Sequence, residues 1–364
     1  MKGKILRETF DKNLNEVIRL KQAEDGRSFF TVVPKGMPVE HMQSLEKPLF
    51  AHICVTNKCN LNCPYCYAAD HNVSHDMTDE QLKQVVEICN NNDIMCITWT
   101  GGEPLLRSNF SEIVLQVYKY GIKQTILTNG TLLETIIGEK WPTKNINFQV
   151  SLNNTWNNYV ECAPIIEKVK KMIKEGYDIV VTVMLEPKSC ELYKKLFDML
   201  VENQISKIRL GFKIPVGRGA FDGDMKEYEK KMREIIPGLF KLKEKYQGIL
   251  KIDYQFEGAN YKFSGLPRRF MICQAGTMEV YIDNNGNAYP CPLFKSYEDL
   301  YCGNVFDNSW QSIWQSEAMN KLRKVNECKD CSYICGVWCR ALKTAMDGSF
   351  YGKSKYCLKT MERI

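Results

Sequence analysis

The chain has 364 residues, 44% of them hydrophobic and 25% charged, and 49 Lys and Arg against 43 Asp and Glu leave a net charge of +6. This is the balance of a globular protein with room for a large core and two domains. No apolar run approaches the ~20 residues of a membrane span and Met1 opens polar sequence, so the expectation is a cytoplasmic protein with no export signal and no membrane association. The positive excess is spread along the chain and includes helix-face stretches such as Lys226 to Arg233, which reads as a solvated surface and not a nucleic-acid track.

In chain order, residues 1–48 read as a small cover, in which Glu16 to Lys21 and Ser28 to Val33 flank a hairpin turn at 24–27. From residue 49 the pattern is strand, loop, helix, repeated. Strands are predicted at 50–55, 95–100, 124–128, 146–152, 179–185 and 207–214. They are continuous apolar or β-branched runs, as parallel strands covered on both faces should be. The clearest helix starts at Thr78, which with Gln81 forms a capping-box signature, and Leu82, Val85, Val86 and Cys89 make its inner stripe. Six such units in series predict an α/β fold, either a partial (β/α)6 TIM-like barrel or a doubly wound sheet, with the barrel preferred. Residues 220–265 read as a charged helical bridge. Residues 266–364 read as a small cysteine-rich domain.

Each predicted strand ends in chemistry. Cys59, Cys63 and Cys66 follow the first, Gly101, Gly102, Glu103 and Pro104 the second, and Thr128 with Asn129 and Gly130 the third. Ser151 and Asn153 follow the fourth, Glu186 the fifth, and Pro215 to Gly219, carrying Arg218, the sixth. In parallel α/β folds the loops at strand C-termini build the active site, so these ends should converge on one rim.

Sixteen cysteines without an export signal point to metal binding and away from a disulfide framework. Five of them (Cys54, Cys89, Cys96, Cys162 and Cys190) stand in apolar or helical contexts and read as buried small hydrophobes. The C-x3-C-x2-C loop of Cys59, Cys63 and Cys66 can hold three corners of a four-iron cluster and leave one iron open. Zinc is the competing occupant, but it wants a fourth ligand, and Cys54 lies on the strand while Asn60 and Asn62 are poor substitutes.

On these residues the chain resembles the radical S-adenosylmethionine enzymes over roughly residues 49–219. The family's C-x3-C-x-aromatic-C motif matches Cys59, Cys63, Tyr65 and Cys66, and its Gly-Gly-Glu-Pro element matches residues 101–104 after the second strand. The resemblance implies that S-adenosylmethionine chelates the open iron. Gly101, Gly102 and Glu103, with Pro104 completing the element, would hold its amine, and Tyr65 would lie against adenine. Ser151 and Asn153 would bind ribose or carboxylate, Arg218 would pair with the carboxylate, and Thr128 joins the set, although Thr128 to Gly130 also reads as a plain turn. Asn153 departs from the Asp often found there.

A second group comprises Cys273, Cys291, Cys302, Cys328, Cys331, Cys335, Cys339 and Cys357. Eight thiols can close two four-iron clusters, or two zinc sites. The region resembles the SPASM auxiliary-cluster module. Cys273, Gly286 and Cys291 fit its C-x(9–15)-G-x4-C part, but three residues separate Cys331 from Cys335 where five are usual. The resemblance implies two auxiliary four-iron clusters. Cys273, Cys291 and Cys339 would hold the nearer, with Cys302 as candidate fourth ligand. Cys328, Cys331, Cys335 and Cys357 would hold the farther.

The implied chemistry is reductive cleavage of S-adenosylmethionine to a 5′-deoxyadenosyl radical, which abstracts hydrogen from a substrate, with a flavodoxin or ferredoxin as electron donor. The leading expectation is a maturase that crosslinks a ribosomal peptide through a thioether or carbon–carbon bond. A haem-pathway decarboxylase acting on a tetrapyrrole is the alternative, favoured by Pro215 to Gly219. A sulfatase-type maturase is weakened by Pro292, which stands where that group places a carboxylate after the cysteine. A non-catalytic three-cluster electron carrier would not need Glu103 or an open iron.

Overall fold

The computed structural model of the chain describes residues 3–24, 28–31, 44–68, 75–152, 155, 158–219, 225–254, 273–324 and 339–351. Seven strands follow in series: β4 (Phe50–Thr56), β5 (Cys96–Gly101), β6 (Lys123–Thr128), β7 (Ile146–Ser151), β8 (Asp178–Leu185), β9 (Lys207–Phe212) and β10 (Lys251–Tyr254). Each pairs in parallel with the next. Between them run α1 (Asp79–Asn91), α2 (Phe110–Lys119), α3 (Leu133–Glu139), α4 (Tyr159–Lys174), α5 (Cys190–Glu202) and α6 (Met225–Lys245). The capping box at α1 is complete, with Gln81 N–H donating to Thr78 Oγ1 and Thr78 N–H donating to Gln81 Oε1.

The strand order is strictly serial and never reverses. Right-handed crossovers in a serial sheet put every helix on the same face, whereas a doubly wound sheet needs a reversal. The fold is therefore of the partial-barrel kind. One set of alternating strand residues, including Trp99, Ile126, Phe148, Val181 and Leu210, packs into the helix layer and is fully buried. Trp99 Nε1 donates to Gln124 Oε1 at 2.8 Å and Gln124 Nε2 to the Val114 carbonyl at 2.9 Å, so this buried polar pair is satisfied. The other set faces the helix-free side and mixes polar residues, among them His52, Thr98, Thr125, Asn147, Gln149 and Thr182, with the apolar Leu127, Val180 and Met184, all of them half-buried. Thr125 Oγ1 donates to Asn147 Oδ1 at 2.8 Å across that face.

Three features differ from the sequence reading. The segment read as a helical bridge ends in a strand, because Lys251–Tyr254 pairs parallel with β9. The cysteine-rich region is joined to the core sheet. Its β11 (Glu279–Ile282) adds in parallel to the free side of β4, and β12 (Asn287–Tyr289) and β13 (Gly303–Asn304) continue antiparallel, making one ten-stranded sheet. The short helices α7 (Trp310–Trp314), α8 (Glu317–Arg323) and α9 (Arg340–Asp347) complete that region.

The N-terminal hairpin, β2 (Glu16–Gln22) with β3 (Ser28–Thr31), is there, and β1 (Lys4–Asp11) extends it to a three-stranded antiparallel sheet. Its Leu14, Ile18, Leu20 and Phe30 pack with Leu49, Phe50, Met95, Cys96 and Met278 at the starts of β4, β5 and β11. The cover thus closes the end of the sheet opposite the strand C-termini.

Candidate functional site

β4 runs into the three-cysteine loop, and Asp76 fixes the turn between them. Its carboxylate accepts from Thr56 Oγ1 at 2.6 Å and from Asn57 N–H at 2.8 Å. The Gly101–Gly102 backbone lies directly against this segment. Gly102 N–H donates to the Thr56 carbonyl and Glu103 N–H to the Lys58 carbonyl, both at 2.8 Å. A Cβ on Gly101 would stand 2.2 Å from Thr56 O, and one on Gly102 2.2 Å from Lys58 O. The glycines are needed here for close approach of two backbones.

Glu103 is fully buried. It caps the 3-10 turn Pro104–Leu106, accepting from Leu105 N–H at 3.2 Å, and Pro104 fills the first position, where no N–H is needed. Its other acceptors reach the end of β6. Thr128 Oγ1 donates to Oε1 at 2.9 Å and Asn129 N–H to Oε2 at 2.8 Å. Burial pushes the Glu103 carboxyl above its ordinary value, and the donors from Asn129, Thr128 and Leu105 pull the other way. Thr128 is therefore more than a turn residue: it ties two rim loops together.

A second network missed in the sequence crosses to the cysteine loop. Asn129 Nδ2 donates to Asn60 Oδ1 and Asn60 Nδ2 to Thr131 Oγ1, each at 2.8 Å, while Thr131 Oγ1 donates back to Asn129 Oδ1 at 2.6 Å. The Asn–Gly dipeptide advertised a turn, and nothing local revealed its partner sixty-nine residues away.

The loop after β9 grips the cysteine loop from the other side. Arg218 N–H donates to the Cys66 carbonyl at 3.0 Å, and Arg218 Nε to the Cys63 carbonyl at 3.1 Å. A Cβ on Gly217, at φ +60°, would meet Cys66 O and Tyr67 O at 2.7 Å, and one on Gly219 would meet Tyr65 O at 3.0 Å. Ser151 ends β7 on the same rim, opposite Thr182 of β8. Asn153 lies outside the described residues.

Cys59, Cys63 and Cys66 are all half-buried. Burial raises the Cys59 and Cys66 thiols. The charges of Glu103 and Cys63 add to the rise at Cys59, and those of Cys63 and Cys59 at Cys66, so the three sulfurs are electrostatic neighbours. The Leu61 N–H donates to Cys59 Sγ at 3.4 Å. The Tyr65 hydroxyl is hydrogen-bonded to Cys63, and burial, then the Cys63 charge, push it well above the usual phenol range. Among the described residues no three His, Cys, Asp or Glu side chains close to metal-ligand spacing. The donor set nonetheless fits a cluster: three neighbouring thiols on one short loop, offered at an open rim, with no fourth thiol acting on them among the described residues.

In the cysteine-rich region, Cys273, Cys291 and Cys339 also act on one another. Burial is the main cause of their raised values, and brings Cys339 to about 12. Glu279 acts on all three, and its carboxylate lies 3.4 Å from His52 Nε2. Cys302, the candidate fourth ligand, has its Sγ turned to the Leu300 carbonyl at 3.6 Å, and burial, Ser316 and Arg323 set its value at about 11. Its N–H donates to Ala288 O, which places it at the edge of the sheet beside β13. Cys328, Cys331, Cys335 and Cys357 lie outside the described residues.

Residues 53–155 match the family model of the radical SAM superfamily, and residues 273–332 that of SPASM, an iron-sulfur cluster-binding domain. The chain is 23% identical over 338 residues to an AdoMet-dependent heme synthase of Methanosarcina barkeri, covering 84% of this chain and 94% of the relative. It is 24% identical over 326 residues to the mycofactocin maturase MftC of Mycolicibacterium smegmatis, covering 83% and 81%. The fold is similar to that of Streptococcus suis SuiB, solved bound to the precursor peptide SuiA, with a TM-score of 0.64 at 18% identity, covering 82% of this chain and 71% of that one. Among the described residues no helix is long and apolar enough to cross a membrane.

Proposed function

Because the chain carries a radical SAM domain joined to a SPASM iron–sulfur domain, we propose that it is a peptide maturase in which the three-cysteine rim activates S-adenosylmethionine and the polar side of the sheet receives the peptide. When bound at Cys59, Cys63 and Cys66, a four-iron cluster with an open iron supplies the electron that cleaves the sulfonium. The protein's own part is positioning. Arg218, Gly217 and Gly219 hold the cysteine loop by its backbone, Glu103 and Thr128 lock the neighbouring loops, and Ser151 stands at the rim to meet the nucleoside. Cys273, Cys291 and Cys339 would hold an auxiliary cluster with an open position or an oxygen ligand, and Cys328, Cys331, Cys335 and Cys357 a second.

The observation that carries the peptide reading is the helix-free face. It offers neutral donors and acceptors from Thr98, Thr125, Asn147, Gln149 and Thr182, suited to an extended backbone. Two charged pairs stand beside it, Arg209 with Asp253 at 3.8 Å and Lys207 with Asp178 at 2.5 Å. A tetrapyrrole rich in carboxylates would ask for an apolar slot ringed by cations. The test incubates the reconstituted enzyme, S-adenosylmethionine and a reductant with candidate precursor peptides taken from short reading frames neighbouring its gene, and in parallel with a propionate-bearing tetrapyrrole. The proposal expects the peptide to lose a pair of hydrogens. Decarboxylation of the tetrapyrrole, with the peptide untouched, would replace it with the alternative.

A further inference from the structure

Beneath the cysteine loop lies a small apolar cluster separate from the main core, made of Cys54, Tyr281 and Tyr289. Each of the three carries an oxidisable O–H or S–H group. Cys54 and Tyr281 share a hydrogen bond, and the Tyr281 and Tyr289 rings stand 6.3 Å apart. Tyr289 in turn meets Tyr301 edge-on at 5.8 Å, and Tyr301 is 46% exposed. At the inner end, Tyr67 follows Cys66 directly, and its hydroxyl hydrogen-bonds Thr100 Oγ1 at 3.1 Å. Thr100 is the strand partner of Cys54, so the Tyr67 hydroxyl meets the sheet beside Cys54.

We propose that Tyr67, Cys54, Tyr281, Tyr289 and Tyr301 form a relay that carries a stray oxidising equivalent from the rim to the surface when a radical forms with no substrate in place. The inference rests on the radical chemistry proposed above and adds a protective function to it. Packing alone would be served by Phe or Leu. A series of phenols and one thiol, leading from the residue after Cys66 to an exposed tyrosine, is a chemical pattern. Its direction follows from potential. Phenols and thiols are oxidised far above the potentials at which low-potential iron–sulfur clusters work, so this row cannot deliver the reducing electron inward. It can pass an oxidising equivalent outward.

The step balances. The Tyr67 O–H bond breaks and the C5′–H bond of 5′-deoxyadenosine forms, leaving a phenoxyl radical. An electron then moves inward at each hop, with the O–H or S–H proton of each intermediate group leaving and returning, and Tyr67, whose own hydrogen has gone to 5′-deoxyadenosine, takes a proton from water by way of the Thr100 hydroxyl. At Tyr301 a small thiol of the surrounding solution gives one electron and releases its proton to water, which balances the proton taken up at Tyr67, and a thiyl radical leaves.

The test needs no substrate. Reconstituted holoenzyme is reduced with titanium(III) citrate in deuterated water, given S-adenosylmethionine alone, and its 5′-deoxyadenosine is examined by mass spectrometry. The hydrogen comes from an exchangeable O–H, so the product should carry solvent deuterium, and Tyr67→Phe should lower the labelled fraction several-fold. Tyr301→Phe, at the surface, should leave cleavage unchanged but raise a freeze-quenched tyrosyl signal several-fold, since the exit is blocked. If Tyr67→Phe fails to retain its cluster, the Tyr301→Phe signal decides alone. Formation of 5′-deoxyadenosine with labelling indifferent to Tyr67, or no rise in the tyrosyl signal in Tyr301→Phe, overturns the relay and leaves the peptide reading standing. No 5′-deoxyadenosine from the wild type overturns both.

Discussion

Gly102→Ala isolates the contact that shapes the rim. The Gly102 backbone is not in the left-handed region, so the substitution brings no conformational strain and its effect is steric alone. The new Cβ would lie 2.2 Å from Lys58 O, 2.6 Å from Lys58 C and 2.8 Å from Asn57 O. All three are backbone atoms that cannot rotate aside, so the loop must retreat by about 1 Å in an interior that does not yield freely. That retreat stretches two hydrogen bonds, Gly102 N–H to Thr56 O and Glu103 N–H to Lys58 O. Overpacking at about 1–3 kcal/mol and two weakened hydrogen bonds at about 0.5–1.5 kcal/mol each give a loss of about 2–6 kcal/mol. Cys59 begins one residue beyond the displaced carbonyl, so iron and sulfide per chain after anaerobic reconstitution should fall along with the melting temperature. Gly138→Ala is the control. Gly138 lies in α3 with nothing within 4 Å of its Cβ position, and alanine should stabilise that helix by about 0.5–1 kcal/mol. Wild-type iron content and melting in Gly102→Ala would refute the argument that backbone approach at this glycine shapes the cluster loop.

Three other outcomes follow from the same geometry. Thr128→Val removes a donor from the buried Glu103 carboxylate and an acceptor from Gly130 N–H, and should destabilise by about 1–3 kcal/mol in denaturant unfolding; a neutral result would mean Glu103 is held without it. Cys302→Ala should leave iron content at the wild-type value while Cys291→Ala lowers it, and equal losses would return Cys302 to the ligand set. Asp93 accepts from Lys47 at 2.6 Å and Thr9 at 2.9 Å, and these partners hold it below the ordinary carboxyl value against the upward push of burial. A lowered value contributes stability above the unfolded value of ~3.9 that is lost as the pH falls through the folded one. Asp93→Asn, which tolerates the same φ of +60°, should therefore cost about 0.2–1 kcal/mol at pH 7, and the cost should fade as the pH drops through the lowered folded value, as read from melting curves against pH.

The serial strands were legible because each is a run of apolar or β-branched residues long enough to be read locally, and the capping box at Thr78 and Gln81 marked its helix to the residue. β10 and β11 were not. Lys251 to Tyr254 and Glu279 to Ile282 are four residues each, mix charge with apolar side chains, and become strands only because β9 and β4 offer free edges. The same limit explains the site. Three thiols at short spacing are a local signal. The bonds from Asn129 to Asn60, from Arg218 to Cys63 and from Asp76 to Thr56 each join segments that only the folded sheet brings together. Cys302 shows the converse limit: counting thiols says nothing of which way a strand edge turns them.

The claim underlying all of this is that Cys59, Cys63 and Cys66 hold three irons of a cluster and leave the fourth to S-adenosylmethionine. Low-temperature electron paramagnetic resonance of the reduced, reconstituted protein tests it directly. Adding S-adenosylmethionine should alter one cluster signal, and that signal should be missing from a variant with all three cysteines changed to Ala while the signals owed to the other cysteines persist. A wild-type spectrum that ignores S-adenosylmethionine, or zinc in place of iron at this loop, would contradict the account.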